Sequence, residues 1–162
     1  KIKDDGPLDY HLGMQFSRDP DGMLVQSSEA FVIRMMQSYE RNFGETPKVY
    51  TSLLERNDHP EIDTTPDLEE EKVPIFQSMI GQLQWAVTIG RFDVYSSVMT
   101  MSRFHSSPHS GHLQRLKQIF GYIGKYKNTA IRYRVGLWNY GDLPHEKYEW
   151  MYTVYKNVKE AT

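Results

Sequence analysis

Four segments of the chain repeat apolar residues at the three-or-four-residue spacing of one helical face, which predicts four helices. The first should run over about 29–42 after a serine cap, and the second over about 74–89. We expect Asp93 to cap the third helix, and Ser107 with Pro108 to begin the fourth. The expected stops are Gly44, Gly90 and Gly124. The apolar faces comprise Phe31, Val32, Met35, Met36, Tyr39 and Phe43; Phe76, Met79, Ile80, Leu83, Ala86 and Val87; Val94, Val98 and Met101; and Leu113, Leu116, Ile119, Phe120 and Ile123.

Strand patterns lie at both ends of the chain. Residues 8–16 partly alternate apolar and polar side chains, and residues 23–26 follow an Asp-Pro-Asp-Gly turn at 19–22, which predicts a β-hairpin. Residues 130–135 and 150–155 are rich in aromatic and β-branched side chains and predict two short strands. The order is therefore hairpin, helix, loop, three helices and two strands, which predicts an α+β fold.

Length and composition fit a globular chain. The 162 residues could form one domain, and 39% hydrophobic with 25% charged residues argues against a wholly disordered chain. No apolar run approaches the roughly 18 residues that span a bilayer, so we expect no membrane partner. The absence of cysteine favours an intracellular setting. Because the chain begins at Lys1 without methionine, we expect it to be a piece of a longer protein.

Charge is distributed unevenly along the chain. Segment 46–73 contains eight acidic residues and several prolines, which predicts a solvated linker or a long loop. From Arg91 to Arg134, eight basic residues oppose the single acid Asp93. This imbalance predicts a cationic surface that suits a phosphate backbone, although basic residues on helices often only solvate one face.

Two apparent catalytic or metal-binding patterns have simpler explanations. Asp4 and Asp5 resemble a polymerase carboxylate pair, but no apolar strand precedes them, so we expect a solvated turn. His105, His109 and His112 are close in sequence, yet Pro108 and Gly111 interrupt the helix that would aim them at one ion. We therefore expect no zinc site and predict that His112 caps or packs at the start of the fourth helix.

Three other features favour structural roles. Arg91 and Asp93 have the spacing of a local ion pair that fixes the turn between two helices. The methionine and aromatic residues over 35–43 should form core. For Trp85 we favour buried packing, and the alternative is a contact beneath a nucleic acid.

A succession of short motifs covers nearly the whole chain to about Tyr133. The motifs are Lys3-Asp4-x-Gly6-Pro7-Leu8-x-Tyr10-x-Leu12-Gly13, Gln26, Phe43-Gly44, Thr51-x-Leu53, Ser78-x-Ile80-Gly81-x-Leu83-x-Trp85-Ala86, Arg91-x-Asp93, Ser102-Arg103-Phe104, Pro108, His112 and Leu116-Lys117. In this order and spacing the chain resembles the part of a copia-type LTR-retrotransposon polyprotein that follows the reverse transcriptase active site. The family usually has proline where Ser52 and Phe92 stand, and residues 138–162 match only a subset of such elements.

The resemblance implies three regions. Residues 1–27 would be the end of the palm with a primer-grip-like hairpin, and residues 28–128 a thumb-like helical region containing the acidic loop. Residues 129–162 would begin the connection toward RNase H. The residues expected to contact nucleic acid are Leu12, Gly13 and Met14 in the hairpin and Arg103, Arg115, Lys117, Lys125 and Lys127 among the cations.

The function implied is a non-catalytic fragment of an RNA-directed DNA polymerase that grips a primer-template duplex. Its partners would be RNA–DNA or DNA duplex and the palm and RNase H domains of the polyprotein, in a cytoplasmic particle or the nucleus. The catalytic carboxylates are absent from the chain, and Mg²⁺ is expected only in the parent polymerase. Two alternatives remain open. One is a helical protein-interaction module from a decayed or domesticated element, and the other, more remote, is a small metallo-hydrolase that uses the histidines.

Overall fold

The computed structural model describes residues 8–55 and 57–134, which form an antiparallel sheet and a helical bundle in an α+β fold. The strands are β1 (Tyr10–His11), β2 (Met14–Arg18), β3 (Leu24–Ser27) and β4 (Ala130–Tyr133). The helices are α1 (Glu29–Phe43), α2 (Val73–Thr88), α3 (Tyr95–Ser102) and α4 (Ser110–Lys125). Single 3-10 turns occupy Pro60–Ile62, Glu70–Lys72 and Phe92–Val94.

The sheet has the strand order β1-β2-β3-β4, and every neighbouring pair is antiparallel. The predicted turn between β2 and β3 is confirmed, because Asp19 accepts the backbone N–H of Met23 on its side chain and Gly22 adopts φ 78°. The N-terminal segment differs from the single strand expected over 8–16. A two-residue turn at Leu12 and Gly13 divides it into β1 and β2.

β4 joins the sheet from the far end of the described chain. It pairs with β3, so that Gln26 lies between Phe16 and Ile131 in register. The predicted strand over 130–135 is therefore present as Ala130–Tyr133, whereas the strand predicted over 150–155 lies outside the described residues.

The first two predicted helices are confirmed. α1 ends at Gly44 with φ 70°, and the N–H of Gly44 donates to the Glu40 carbonyl. Its N-cap residue is Ser28, whose side chain makes no capping hydrogen bond, and the hydroxyl of the preceding Ser27 accepts the N–H of Glu29 at 3.2 Å instead. α2 spans Val73–Thr88, within a residue of the prediction at each end.

The predicted boundaries of the last two helices need correction. Asp93 does not cap α3, because it lies within a 3-10 turn and its carboxylate binds Arg91 instead. α4 begins at Ser110 rather than after Ser107, and its N-cap residue is His109. His112 accepts the N–H of His109 at 2.9 Å, which confirms its expected capping role. Gly124 lies inside α4, which ends at Lys125.

One hydrophobic core joins the four helices. α2 lies between α1 and α3, and α4 packs against all three. Each predicted core residue of α2 is buried, and Met35 and Tyr39 of α1 are buried with them. Burying a large apolar side chain contributes roughly 1.5–3 kcal/mol, so this shared core stabilises the bundle more than any single polar contact.

The acidic segment is an ordered long loop rather than a solvated linker. It runs along α4, where a methyl group at Gly121 would overlap the carbonyl oxygen of Lys48. Leu68 is buried, and its N–H donates to the Pro108 carbonyl at 2.9 Å. The loop therefore packs as part of the helical bundle.

Candidate nucleic-acid interface

Arg115 binds the acidic loop from α4. Its Nε and Nη2 donate to the two carboxylate oxygens of Asp58, each at 2.7 Å, and its Nη1 donates to Asp63. Asp63 also accepts the N–H of Thr65 at 2.9 Å, and the Thr65 hydroxyl accepts the N–H of Gly111 at 2.8 Å. We name this group of Arg115, Asp58, Asp63 and Thr65 the Arg115 clasp.

The clasp changes the titration of its carboxylates. A hydrogen bond from Arg115 is the main reason that the pKa of Asp58 is lowered. Burial alone would raise the pKa of Asp63, but hydrogen bonds from Thr65 and Arg115 outweigh it and hold the pKa at about 2. The two carboxylates in turn raise the pKa of Arg115. The positive charge of Arg115 is therefore balanced by two carboxylates within the protein.

Other cations of the basic segment also have acidic or aromatic neighbours. Arg91 is fully buried and donates to both carboxylate oxygens of Asp93, at 2.9 and 2.8 Å. Lys117 lies 4.0 Å from the centre of the Phe43 ring and 3.8 Å from Glu45. Arg91, Arg115 and Lys117 therefore each have an acidic partner within the protein, while the cationic surface expected from the basic segment stays a prediction.

Three predicted contact residues remain on the surface. Arg103, Lys125 and Lys127 are exposed, and none forms an ion pair with a described carboxylate. Arg103 follows α3, whereas the two lysines lie at the end of α4. These cations therefore belong to different elements, and their contact with nucleic acid stays a prediction.

The hairpin turn lies against α1 and α2. Leu12 and Gly13 adopt φ 50° and 95°, the left-handed values that a two-residue turn of this hand requires. A Cβ atom placed on Gly13 would lie 3.7 Å from Arg34, Trp85 and Ile89. Leu12 itself is 60% exposed, although its backbone conformation favours glycine or asparagine. The turn thus presents the apolar side chain of Leu12, whereas Gly13 is buried beside an arginine and a tryptophan.

Gln26 fixes the sheet against the end of α2. Its amide nitrogen donates to the Ile89 carbonyl at 3.2 Å, and its amide oxygen accepts the Tyr133 hydroxyl at 2.7 Å. The same nitrogen lies 2.9 Å from the sulfur of Met14. β2, β3, β4 and α2 therefore meet at one side chain, which holds the turn in place.

Glutamines of α2 connect it to both neighbouring helices. Gln82 donates to the Ser38 hydroxyl of α1 at 3.3 Å, and Gln84 donates to the Ser102 hydroxyl of α3 at 3.1 Å. Gln77 donates to the His105 carbonyl at 3.2 Å. Neither α2 nor α3 contains a charged residue. α1, α2 and α3 therefore form a layer with α2 in the middle, in which α2 and α3 carry polar but no charged side chains.

The side of this layer away from α4 carries exposed residues, which together we name the outer face. On α2 it contains Ser78, Gly81 and Trp85, which recur at helical spacing and are all exposed. Nothing lies within 4 Å of a Cβ atom placed on Gly81, and Trp85 is 40% exposed. On α1 it contains Arg34 and Arg41, which are also exposed.

Most of this surface cannot be recognised from the sequence. Counting charges favours the basic segment because the count ignores partners distant in the chain, and it gives no weight to the two separate arginines of α1. The signal for the surface was the uncharged polar run over 77–85, whose serine, glycine and glutamine residues lie outside the apolar face. Trp85 is 40% exposed, which disagrees with the role in buried packing, and its contact with nucleic acid stays a prediction.

The three histidines have separate roles. His112 is buried, stacks on Phe104 with ring centres 3.9 Å apart, and contacts the Pro60 carbonyl through Nε2 at 2.9 Å. His109 contacts the Thr65 carbonyl through Nδ1 at 2.6 Å, and His105 is exposed. In residues 8–55 and 57–134, no three His, Asp or Glu side chains are grouped to hold a metal ion. No helix in the same ranges has the length and apolar character to cross a bilayer.

Comparison with known proteins gives one informative similarity. The chain is 27% identical over 135 residues to a protein of Saccharomyces cerevisiae named "Putative transposon Ty5-1 protein YCL074W". The aligned region covers 83% of this chain but 42% of the yeast protein, so the chain spans less than half the length of that relative. No protein-family model matches the chain, and no solved structure matches it. The similarity supports a transposon-derived protein, while the copia-type assignment and the reverse transcriptase region stay predictions.

Proposed function

We propose that this chain is a non-catalytic part of a retrotransposon reverse transcriptase and that its outer face grips the primer-template duplex. The observation that carries the proposal is the uncharged polar surface of α2, with Gly81 open to solvent and Trp85 exposed, which continues into the Leu12–Gly13 turn. The resemblance of the motifs and the similarity to a transposon protein agree with this assignment.

The chemistry of the outer face suits the minor groove of an A-form or hybrid duplex. That groove is wide and shallow, and proteins recognise it by shape and by its 2′-hydroxyl and phosphate groups. Ser78 offers a hydroxyl on this surface, and Gly81 lets the groove edge approach the helix closely. Trp85 adds an aromatic ring with one N–H donor. An acidic side chain on α2 would repel the phosphates, and none is present.

The hairpin turn extends this surface to the end of α2. Backbone amides contact phosphates without reading the sequence, which a polymerase that copies any template requires. Gly13 is buried beside Arg34, so a phosphate at the exposed Leu12 end of the turn would lie near a cation. In this proposal catalysis belongs to the palm of the parent polymerase, where Mg²⁺ is expected, and the palm and RNase H domains are partners of this chain.

Binding of a fluorescently labelled RNA–DNA hybrid, measured by anisotropy, tests the proposal. Replacing Trp85 by alanine should weaken binding about threefold to tenfold, because it removes an N–H donor whose hydrogen bond contributes about 0.5–1.5 kcal/mol. Tyr126→Ala is the matched control, since Tyr126 is 37% exposed against 40% for Trp85 but lies at the end of α4. Equal affinities of both variants and the unmodified chain would contradict the proposal.

A second candidate is a protein-interaction module from a decayed or domesticated element. The observation that favours it is the group of exposed apolar side chains at the hairpin and α2, namely Leu8, Tyr10, Leu12 and Trp85. Binding to a protein partner through these side chains should be insensitive to salt, whereas hybrid binding should weaken as salt rises.

A further inference from the structure

We propose that Arg34 and Arg41 of α1 supply the ionic contacts to one strand of the duplex held on the outer face. This inference rests on the proposed function and deepens it, because it names the residues that make binding depend on salt. In this proposal Arg34 and Arg41, rather than the basic segment over 91–134, supply these contacts.

The two arginines lie on one side of α1. They are seven residues apart, which is two helical turns and about 10.5 Å along the axis. That side is opposite the buried residues Val32, Met35 and Tyr39. A separation of this size exceeds the axial rise of about 3.4 Å per phosphate on one strand of DNA, so the two arginines can contact different phosphates.

Contacts between α1 and α2 align the arginines with the uncharged residues of α2. Arg34 and Trp85 meet at Gly13, and one turn later Ser38 accepts a hydrogen bond from Gln82. The two helices are therefore antiparallel, which places Arg41 level with about Ser78. Ser78 and Trp85 are also seven residues apart, so one arginine stands beside each end of the α2 surface.

Both guanidinium groups are available to a ligand. Arg34 and Arg41 are exposed, and neither forms an ion pair with a carboxylate in the described part of the chain. Arg34 donates to the Tyr10 hydroxyl at 3.3 Å and lies 5.7 Å from the Phe31 ring centre, which holds it near the hairpin turn without neutralising it. Arg115, in contrast, binds two carboxylates.

The dependence of hybrid affinity on salt tests this inference. We would measure the slope of log K against log salt for the unmodified chain and for Arg34→Gln, Arg41→Gln and the double variant. Each single substitution should reduce the magnitude of the slope by about 1, and the double variant by about 2. Arg41→Lys should keep the slope, because a phosphate contact needs the charge rather than the guanidinium fork. Lys48→Gln, in the acidic loop beside α4, is the matched control and should leave the slope unchanged. Lys125→Gln and Lys127→Gln test the basic segment as the rival source of the ionic contacts.

The outcomes separate this inference from the proposed function. If the arginine variants keep the full slope while Trp85→Ala still weakens binding, the inference fails and the proposed function stands. If neither the arginines nor Trp85 affects binding, both fail. If Lys125→Gln or Lys127→Gln reduces the slope and the arginine variants do not, the inference fails and the basic segment makes the ionic contacts. Arg41→Gln alone remains a valid test even if loss of Arg34 disturbs the turn, because Arg41 makes no described hydrogen bond through its side chain.

Discussion

Replacing Asp63 by asparagine removes one charge from the Arg115 clasp, and the structure sets the size of the effect. The Asp63 side chain is 4% exposed and its pKa is about 2, against 3.8 for an ordinary aspartate. A difference of nearly two pKa units corresponds to about 2 kcal/mol of folding free energy. Asp63→Asn should therefore lower the free energy of unfolding by about 2 kcal/mol at neutral pH.

This loss should depend on pH in a defined direction. Because the pKa of Asp63 is depressed in the folded chain, its contribution is complete above the unfolded pKa of 3.8. The contribution falls as pH decreases toward about 2, where the carboxyl becomes protonated in the folded chain as well. The stability difference between the unmodified chain and Asp63→Asn should thus shrink over that interval.

Urea unfolding followed by circular dichroism, at several pH values from neutral down to about 2, measures the difference. Asp67→Asn is the control, because the Asp67 side chain is 85% exposed and lies 3.6 Å from the nearest ring nitrogen of His109. That variant should change the stability by less than about 0.5 kcal/mol. The reasoning is refuted if Asp63→Asn is as stable as the unmodified chain at neutral pH, or if its deficit is the same at both ends of the pH range.

Substitutions at two glycines and in the hairpin turn give further tests. Gly121→Ala should destabilise the chain by about 1–3 kcal/mol or more, because its methyl group would overlap the Lys48 carbonyl. Gly81→Ala should stabilise it by about 0.5–1 kcal/mol, since the site is an open helix position, yet weaken hybrid binding by obstructing the groove. Leu12→Asn should stabilise the turn by about 1 kcal/mol or less, because asparagine tolerates φ 50°, while removing an exposed apolar contact and weakening binding. Urea unfolding and hybrid anisotropy measure both quantities, and a destabilised Gly81→Ala or an unstrained Leu12 would contradict these expectations.

The local pattern was sufficient to predict most of the helical bundle. α1 and α2 were predicted nearly to the residue because their apolar spacing, prolines and glycines all agree. The start of α4 was misplaced because its cap is a pair of histidines, His109 and His112, rather than the serine that usually signals a helix start. The α+β class followed from the order of these elements.

Long-range pairing was the part that the pattern could not supply. β4 joins β3 across about a hundred residues, and no local feature of either strand names its partner. Arg115 and Asp58 are 57 residues apart, so a count of charges within the basic segment includes Arg115 but not the carboxylate that pairs with it. The same limit hid the outer face, because that face forms only once α1, α2 and α3 pack side by side, where Gln82 and Gln84 also connect them.

The central claim is that the outer face contacts the duplex, and mapping the backbone amides by NMR during titration with an RNA–DNA hybrid tests it most directly. We predict that the largest chemical-shift changes fall on the Leu12–Gly13 turn, on α1 near Arg34 and Arg41, and on α2 near Gly81 and Trp85. Changes concentrated instead at Lys125 and Lys127, or in the acidic loop, with the outer face unaffected, would contradict it.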